Sequence, residues 1–360
     1  MAIYFFPFFL IMFFSIISVN RSQSVINLSP ALYILLVLFV GIRYASVDYF
    51  NYEEIYYYVD NVSEMGFPNY IPSSGEKPTE SLYAFLTLFI KSFGGSFELF
   101  VFFIASISIG IKLYAFKKMS NFFYLSVLLY IAIWMRADLG QIRNGLSSAI
   151  TLIAVYYLYH SRKLIFTLAA TSSLLVHIAA VLSFLLIFMK KLARPWMLSS
   201  VLAASFVMAA AGGFGMTIVL YIAEFMGLGN EFRLVRYMDS KFAESYSIFG
   251  GTVLVHLLIS VLILLFYKRL VKVNKYNSIL IPMYVYGFSM MLFFIDYGIM
   301  FARIKDLFCT PASIIILPSI VLIFHRRSRP LIYLSLIAFS ALMFVTTVQN
   351  AEPYQTIIFN

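Results

Sequence analysis

The apolar segment at 164–189 decides how the chain meets a membrane. It reads LIFTLAATSSLLVHIAAVLSFLLIFM, and basic pairs stand on both sides of it, at 162–163 and 190–191. Basic residues mark the cytoplasmic side, so both ends of the segment are expected there. A re-entrant hairpin of two half-length helices that turns near 172–177 meets this condition, because a helix of about 12 residues covers only about 18 Å. The alternative is one tilted span with one basic pair on the wrong side.

The composition of the whole chain indicates an integral membrane protein. Hydrophobic residues make up 62% of it, charged residues 12%, and the mean hydropathy is +0.90. Soluble domains are about 25% charged. Long apolar runs predict an all-α polytopic protein with about 10–12 transmembrane helices. The predicted spans are 2–19, 30–47, 97–115, 121–135, 143–159, 197–222, 249–267, 277–300, 308–324 and 331–348.

Charge divides the loops between these spans into two sets. We expect a single membrane domain over 1–360, with outer-face loops at 43–80 and 223–248. The cytoplasmic set carries basic residues and no acidic ones, and it lies at 20–29, 112–120, 160–163, 190–196, 268–276 and 325–330. Lys112 is thereby placed in a cytoplasmic loop. Both termini are then outside, and the short apolar segment 81–93 is expected in the membrane interface.

Several functional classes find no support in the sequence. The chain has no P-loop, no GxGxxG before a helix, no CxxC and no HExxH, so neither nucleotide-driven transport nor zinc proteolysis is indicated. The net charge of +10 comes from basic residues scattered through short loops. That distribution fits orientation in a membrane and does not predict a nucleic-acid partner. The single cysteine, Cys309, cannot form an internal disulfide.

Some arginines lie on the side where orientation does not require them. Arg43 follows the second span, Arg136 and Arg143 flank the turn MRADLGQIRNG, and Arg303 lies between two late spans. An arginine near the apolar region costs roughly 2.5–3.5 kcal/mol unless it pairs or reaches the interface. One interpretation is snorkelling or pairing with nearby aspartates, which are Asp48, Asp138, Asp296 and Asp306. The other is recognition of an anionic, lipid-linked substrate, because guanidinium groups bind phosphate oxygens in a bidentate fork.

Two further features bear on the chemistry of that side. His177 lies among apolar and small residues, and it is either a packed core histidine or a general base for a sugar hydroxyl. Tyrosines crowd the stretch after the second span, among them Tyr49 and Tyr52. Interfacial belts use tyrosine. A cluster that mixes tyrosine with Asp48 and Glu53 also suits a sugar, which offers C–H faces and hydroxyl donors.

The chain resembles the EpsG/Wzy group of bacterial polysaccharide polymerases over nearly its whole length. The resemblance rests on GIRYASVDYFNY at 41–52, KPTESLYAFLTLFIKSFG at 77–94, LGQIRNGLSSAI at 139–150, LLVHIAAVL at 174–182 and RLVRYMDSKF at 233–242. The positions that match the family pattern or fall in these motifs are Arg43, Asp48, Tyr49, Tyr52, Glu80, Gln141, Arg143, His177, Arg233, Arg303, Pro353 and Tyr354. The chain departs from the pattern after Arg143, where Asn144, Gly145 and Ser147 replace the more usual glutamine and alanine.

The resemblance implies an enzyme that joins oligosaccharide repeat units on undecaprenyl diphosphate at the outer face of the bacterial cytoplasmic (inner) membrane. The product would be an O-antigen of lipopolysaccharide or an exopolysaccharide, and a chain-length regulator and a flippase would act beside it in the bilayer. On this reading Arg143 and Arg303 hold the diphosphate, and Arg43 assists or orders the Asp48 loop. His177 or Asp48 takes the acceptor proton. Asp48 is alternatively a salt-bridge partner of Arg43.

The same resemblance leaves the other candidates in binding roles. Tyr49, Tyr52, Glu80, Arg136, Gln141, Arg233 and Tyr354 are the expected substrate-binding residues beside those arginines. No cofactor is expected, and no metal is required where arginines carry the charge, although a divalent ion on Asp48 and Glu53 is an alternative. A flippase for lipid-linked oligosaccharides and an O-antigen ligase are the competing functions.

Overall fold

A computed structural model describes residues 2–18, 28–72, 78–225, 227, 235, 238 and 243–357. The chain divides into two compact units. The first unit holds Met1–Phe184 and Ile314–Asn360, and the second holds Leu185–Ser313. The expected all-α architecture is confirmed, whereas the single domain over 1–360 stays a prediction.

The first unit is mainly helical. Its helices are α1 (Phe5–Ser18), α2 (Ser29–Gly41), α3 (Tyr49–Tyr58), α4 (Ser81–Ser92), α5 (Phe97–Met119), α6 (Phe123–Ile133), α7 (Met135–Gly140), α8 (Ile142–Tyr159) and α9 (Lys163–Val176). Two pairs of short antiparallel strands join them: β1 (Arg43–Tyr44) with β4 (Gln355–Thr356), and β2 (Asn69–Tyr70) with β3 (Thr79–Glu80).

The second unit consists of helices among its described residues. They are α10 (Leu186–Lys191), α11 (Pro195–Ala210), α12 (Gly215–Phe225), α13 (Gly251–Leu265), α14 (Tyr267–Val273), α15 (Asn277–Phe293) and α16 (Gly298–Ile304). A π-helical turn, Lys305–Cys309, leads to α17 (Thr310–Ile323), within which the first unit resumes, and α18 (Arg329–Gln349) follows.

Several helices are long and apolar enough to cross a membrane. Over the described residues, three pass on length and composition: Phe97–Met119, Gly298–Ile323 and Arg329–Gln349. The bent pairs α11–α12 and α13–α14 raise the number to five if each pair is one span. The predicted spans near the N-terminus correspond to shorter apolar helices, such as Phe5–Ser18 and Ser29–Gly41. This set of apolar helices fits a multi-pass membrane protein.

The long helix α5 shows how the sequence sets the ends of a helix. Ser96 stands at its N-cap and accepts a hydrogen bond from the backbone N–H of Leu99 at 3.4 Å. Glu98 lies in the first turn and two lysines, Lys117 and Lys118, lie in the last, which complements the helix dipole at both ends. The helix packs against α2 and α8 and forms a central support of the first unit.

One prediction about α5 is wrong. Lys112, expected in a cytoplasmic loop, lies inside this helix, and its side chain is 0% exposed. The helix continues to Met119 because Ala115 and Phe116 are fully buried and extend its packed face. The lysine is tolerated there because it forms an ion pair with Asp138.

The two helices after α5 are short. α6 has only 11 residues, and α7 has 6. An 11-residue helix spans about 16 Å, roughly half of a hydrocarbon core that is about 30 Å thick. α6 alone is therefore too short to cross such a core.

The segment that reads LIFTLAATSSLLVHIAAVLSFLLIFM is broken at the place its charge pattern predicts. α9 ends at Val176, His177 has an extended backbone (φ −154°, ψ 123°), and a 3₁₀ stretch, Ile178–Leu185, follows before α10. α9 has 14 residues and covers only about 21 Å. The break within 172–177 is thus confirmed, and the return of the second half to the cytoplasmic side stays a prediction.

The predicted outer loop at 43–80 is largely folded. It contains α3 and ends in the β2–β3 pair. Tyr49, Tyr52 and Tyr56 pack into a buried cluster with aromatic residues of α4 and α5. These three rings are buried, whereas Tyr57 is 60% exposed, and a contact of Tyr49 or Tyr52 with substrate stays a prediction. The second predicted outer loop, 223–248, lies mostly outside the described residues.

The segment 81–93, which is expected in the membrane interface, forms helix α4 with one buried and one exposed face. In α4, Tyr83, Ala84 and Ile90 are buried, whereas Phe85 and Phe89 are exposed. The buried face packs against α5 and α9. An exposed phenylalanine face suits contact with lipid, and the location of α4 in the membrane interface stays a prediction.

A sharp bend marks the second unit. α11 and α12 meet at 89°, and the two glycines between them, Gly212 and Gly213, have φ of +104° and +82°. Glycine adopts this left-handed region without a Cβ clash. Asp296 closes the turn, because its Oδ1 accepts a hydrogen bond from Gly215 N at 2.9 Å and its Oδ2 one from Met216 N at 3.0 Å.

Candidate active site

A buried carboxylate organises a cluster of predicted residues in the first unit. Glu80 ends β3 and precedes α4, and its side chain is 0% exposed. The β2–β3 pair, with Asn69 opposite Glu80, fixes the backbone there. A carboxylate taken out of water this completely requires strong donors around it.

Arg143 supplies the charge that matches Glu80. It lies in the first turn of α8, and its Nη1 donates to Glu80 Oε2 at 2.6 Å and to Thr79 Oγ1 at 3.2 Å. Its side chain is 15% exposed, so part of the guanidinium reaches the surface of the cluster. The Nε of Arg143 has no hydrogen-bond partner among the described residues.

Aromatic rings hold the guanidinium from two sides. The Arg143 Cζ lies 5.3 Å from the ring centroid of Tyr52 and 5.6 Å from that of Tyr83. Both distances are in the range of cation–π attraction. The rings restrict the rotation of Arg143, which leaves the guanidinium in a defined position.

His177 meets the same carboxylate at the break after α9. Its Nδ1 lies 3.4 Å from Glu80 Oε1, and the backbone N–H of Ile178 donates to that same oxygen at 3.2 Å. The side chain of His177 is 12% exposed. The structure thus brings together three predicted residues, Glu80, Arg143 and His177, which are far apart in sequence.

The cluster is suited to acid–base chemistry beside an anion. A carboxylate next to Nδ1 of a histidine orients the ring and stabilises its protonated form, which leaves Nε2 for a proton transfer. A guanidinium a few ångströms away can stabilise a developing negative charge. Within the described part of the chain, no group of three His, Cys, Asp or Glu side chains could hold a metal ion.

A second group of predicted residues lines a cleft in the same unit. Arg43, Arg136 and Tyr354 lie around about 590 Å³ of empty volume, open solvent included, together with Glu352. The β1–β4 pair forms one wall, because Arg43 is opposite Thr356. Helix α3 links the cleft to the cluster around Glu80. Arg43 and Ser46 of the cleft lie shortly before α3, and α3 carries Tyr52, whose ring contacts Arg143.

Arg43 is held rigidly at this cleft. It is 3% exposed, and it donates from Nη1 to Val40 O at 2.8 Å and from Nε to Ser46 Oγ at 3.1 Å. Burial lowers the pKa of Arg43 to about 10, and the nearby Asp138 opposes that shift. Arg43 therefore keeps its charge at neutral pH, and both hydrogen bonds go to uncharged oxygens.

The C-terminal tyrosine completes the cleft. The ring of Tyr354 stacks on Phe39 at 4.7 Å between centroids, and its hydroxyl donates to the Phe39 carbonyl. Burial raises the pKa of Tyr354 to about 12, so the hydroxyl stays protonated and remains a donor. Tyr4 packs edge-on against the same ring at 5.5 Å.

The remaining predicted residues have other environments. Asp48 is the N-cap residue of α3 and is partly exposed, and Tyr49 is buried in the aromatic cluster. Gln141 precedes α8 and accepts a hydrogen bond from Asn144 Nδ2 at 3.3 Å. Arg303 lies on α16 of the second unit, and Arg233 lies outside the described residues.

The family model for the EpsG family matches residues 26–358, nearly the whole chain. The chain belongs to the EpsG family. No curated protein and no solved structure matches this EpsG-family chain. The family match spans the residues of both the cluster and the cleft, apart from Tyr4.

The sequence alone missed two members of the cluster in this EpsG-family protein. Thr79 and Tyr83 flank Glu80 closely along the chain and contact Arg143. A usable signal was present, because Tyr83 follows Glu80 by three residues, which places it about one helical turn away if a helix begins at residue 81.

Proposed function

We propose that the protein is a Wzy-type polysaccharide polymerase that joins lipid-diphosphate-linked oligosaccharide repeat units. The observation that carries the proposal is the Glu80–Arg143–His177 cluster, found in a chain of the EpsG family. The cluster combines a candidate base with a fixed cation, and glycosyl transfer from a diphosphate needs both of these. Both reacting side chains are partly exposed, whereas the carboxylate that orients them is buried.

The proposed step transfers the growing glycan to a new acceptor. His177 Nε2 takes the proton of an acceptor hydroxyl, and the hydroxyl oxygen forms a bond with the anomeric carbon of the donor. The bond between that carbon and the diphosphate oxygen breaks, and the lipid diphosphate leaves with the electron pair. Glu80 stabilises the imidazolium that results. Arg143 stabilises the charge that gathers on the leaving group, which favours the transition state over the ground state.

The cleft supplies a second proposed contact with the substrates. Arg43 and Arg136 add positive charge beside Tyr354, and guanidinium groups recognise phosphate oxygens. Two lipid-linked substrates must be present at once for a polymerase to act, so we assign the cleft to binding an anionic headgroup. Arg303 in the second unit is proposed as a separate anion-binding residue.

The remaining expected roles belong to the same proposal. Gln141, Tyr49 and Tyr52 contact or shape the glycan site, and Asp48 is the alternative base. Arg233 keeps its proposed substrate contact. The substrates are oligosaccharides on undecaprenyl diphosphate, the reaction takes place at the outer face of the bacterial inner membrane, and a flippase and a chain-length regulator act in the same pathway.

A glycan ladder tests the proposal. The gene is deleted in its native strain, and the surface polysaccharide is compared on a gel after complementation with wild type, Arg143→Ala, His177→Ala and Glu80→Gln. Immunoblots of the membrane fraction check that the variants are present in equal amounts. We expect a ladder with wild type and a single repeat unit with each variant, because each variant removes the base, the cation or the group that orients them.

Matched controls separate the site from general effects of charge. His325 and Arg326 are exposed in the loop before α18, so His325→Ala and Arg326→Ala are expected to keep the full ladder. If the deletion strain also lacks the single capped unit, the protein acts at flipping or ligation, and the polymerase proposal is wrong. If the deletion leaves one unit but all three cluster variants restore the ladder, the function stands and the proposed site does not.

A further inference from the structure

A second ion pair lies inside the first unit, between α5 and α7. Lys112 Nζ on α5 is 2.6 Å from Asp138 Oδ2 on α7, and the two side chains are 0% and 2% exposed. Ser108 Oγ donates to Asp138 Oδ1, and the hydroxyl of Tyr130 donates to Oδ2, each at 2.6 Å. We call these four residues the Asp138 network.

Aromatic rings cover the cation of the network. Lys112 Nζ lies 4.2 Å from the ring centroid of Trp134 and 5.5 Å from that of Tyr130. Ionised side chains at membrane depth are costly, and they persist where partners satisfy them and where they have a function. With three donors on one carboxylate and two rings over the lysine, the charges of the Asp138 network are satisfied internally. The side chains of Lys112 and Asp138 are both buried.

The Asp138 network connects the three consecutive helices α5, α6 and α7 and contacts the next one, α8. Ser108 and Lys112 belong to α5, Tyr130 to α6 and Asp138 to α7. The first turn of α8 is packed directly against it, because a Cβ added to Gly145 would lie 2.6 Å from Asp138 Oδ1. Only a glycine allows α8 to approach the carboxylate this closely.

The position of Asp138 in the chain links the network to Arg143. α7 ends at Gly140, Gln141 follows, and α8 begins at Ile142, so Arg143 lies five positions after Asp138. α7 is a six-residue helix, which is too short to keep its place by its own hydrogen bonds. The ion pair ties α7 to α5, and α5 in turn packs against α8.

We propose that the Asp138 network is a positioning device, which fixes α7 and the start of α8 so that Arg143 reaches Glu80. This inference rests on the proposed function, since it assigns the network to the site of the polymerase. Its members are positioning residues because they act through Arg143 and touch no substrate. A displacement of the guanidinium of the order of 1 Å costs about 100-fold in rate when a reacting group depends on it.

Three variants separate positioning from folding. Asp138→Asn leaves a buried lysine without its counter-ion, and Lys112→Met leaves a buried carboxylate without its cation, so each single variant is expected to lower the amount of protein in the membrane. The double variant Lys112→Met/Asp138→Asn removes both charges, and its amount is expected to return towards wild type, since a buried pair can be replaced by uncharged residues without loss of stability.

The polymerisation rate of the double variant then decides whether the ion pair positions Arg143 or serves folding only. Per molecule of protein, we expect polymer formation to fall about 100-fold, with kcat lowered and KM for the lipid-linked unit nearly unchanged. This split is expected because Arg143 is proposed to act in the transition state. If the double variant regains both the protein level and the polymer, the ion pair serves folding only, and the positioning proposal is overturned.

A spectroscopic measurement tests the geometry without any enzyme assay. Arg136→Cys on α7 and Ser92→Cys at the end of α4 place spin labels at two exposed sites of the first unit, while the natural Cys309 is buried and should not react. Pulsed dipolar spectroscopy gives the distance distribution between the two labels. We expect a narrow distribution with the intact network and a shifted or broadened one when Lys112→Met/Asp138→Asn is added.

The two measurements keep this inference separable from the proposed function. An unchanged distance distribution overturns the positioning role, whatever the polymer assay shows. A changed distribution combined with full polymer formation by Arg143→Ala supports the coupling of the network to α7, and it rejects the proposed active site instead. The control pair Lys117→Met/Lys118→Met removes charge from the last turn of α5, the helix that carries Lys112. This pair is expected to leave the distance distribution between the spin labels unchanged.

Discussion

Glu80→Gln is the substitution that most directly tests how the cluster is held together. The carboxylate of Glu80 receives Arg143 Nη1 at 2.6 Å on one oxygen and the N–H of Ile178 at 3.2 Å on the other. The second oxygen also lies 3.4 Å from His177 Nδ1. The glutamine amide has one oxygen and one NH₂ group. In either orientation its NH₂ group therefore faces Arg143 Nη1 or the N–H of Ile178, which are themselves donors. The substitution keeps the volume and removes the charge.

The size of the effect follows from burial. Removal of one partner from a buried ion pair costs about 3–5 kcal/mol, because the other charge stays without compensation. Arg143 is 15% exposed and keeps its contacts with the rings of Tyr52 and Tyr83, and each such contact contributes about 0.5–1 kcal/mol or more. We therefore expect a loss near the lower limit, about 3 kcal/mol. In a chain of this size that loss corresponds to roughly 4 °C in the unfolding temperature.

The assay is thermal unfolding of the purified protein in detergent, followed by size-exclusion chromatography of heated samples. Glu54→Gln is the matched control, because Glu54 is an exposed residue of α3 and surface substitutions usually change stability by less than about 0.5 kcal/mol. The double variant Glu80→Gln/Arg143→Gln removes both charges and completes a double-mutant cycle. Its stability should exceed that of Glu80→Gln alone.

Two results would contradict the reasoning. If Glu80→Gln and Glu54→Gln unfold at the same temperature, the buried carboxylate does not hold the cluster together. If the double variant is as unstable as the sum of the single ones, Glu80 and Arg143 are not coupled, and the short distance between them has no energetic meaning.

Three further substitutions test single contacts by the same unfolding assay. Asp296→Asn should cost about 1–2 kcal/mol, because the carboxylate accepts two backbone N–H groups at the start of α12. Gly145→Ala should cost about 1–3 kcal/mol, because the new methyl group would meet Asp138. Tyr354→Phe should cost about 1 kcal/mol, because it loses the hydrogen bond to a backbone carbonyl and keeps the stacked ring.

Each of these expectations has its own comparison. Gly110→Ala is the control for Gly145→Ala, since its added Cβ would meet no atom closer than 3.4 Å; equal effects at the two glycines would show that packing at Gly145 is not limiting. Glu54→Gln again serves as the exposed control, and an equal loss from Asp296→Asn and Glu54→Gln would contradict the capping role of Asp296. If Tyr354→Phe lowers the stability as much as the removal of a whole aromatic ring would, the stacking of this ring on Phe39 has been disturbed as well.

Local patterns in the sequence predicted the features that depend on neighbours along the chain. The break at His177 follows from basic residues at both ends of one apolar segment. The start of α2 agrees with the predicted span 30–47, but the helix ends at Gly41, six residues before the predicted end. Arg143 was indicated by its place beside a turn between spans and His177 by its place within an apolar segment, whereas Glu80 was indicated only by the resemblance to the family. Their contact with one another was not predictable, because it joins β3, α8 and the end of α9 across long stretches of chain.

Pairings between distant segments account for what the sequence did not show. Lys112 was expected in a loop because basic residues near the end of a span usually mark its cytoplasmic side. Its partner Asp138 is 26 residues away, in a turn that was expected on the outer side. The rule for charges near membranes assumes unpaired side chains, so it fails where a lysine finds a carboxylate inside the protein. The β1–β4 pair, which joins Arg43 to Thr356, gives no local signal at all.

The ion pair between Lys112 and Asp138 also constrains the order in which the membrane protein can be made. During synthesis α5 enters the bilayer first, and its lysine arrives 26 residues before the aspartate that neutralises it. An unpaired lysine in the apolar region costs roughly 2.5–3.5 kcal/mol, and the apolar residues of α5 must offset this cost until the aspartate is in place. We therefore expect an interval during biogenesis in which α5 is held in the translocon or lipid by hydrophobicity only, and we expect that interval to end when α7 packs onto α5.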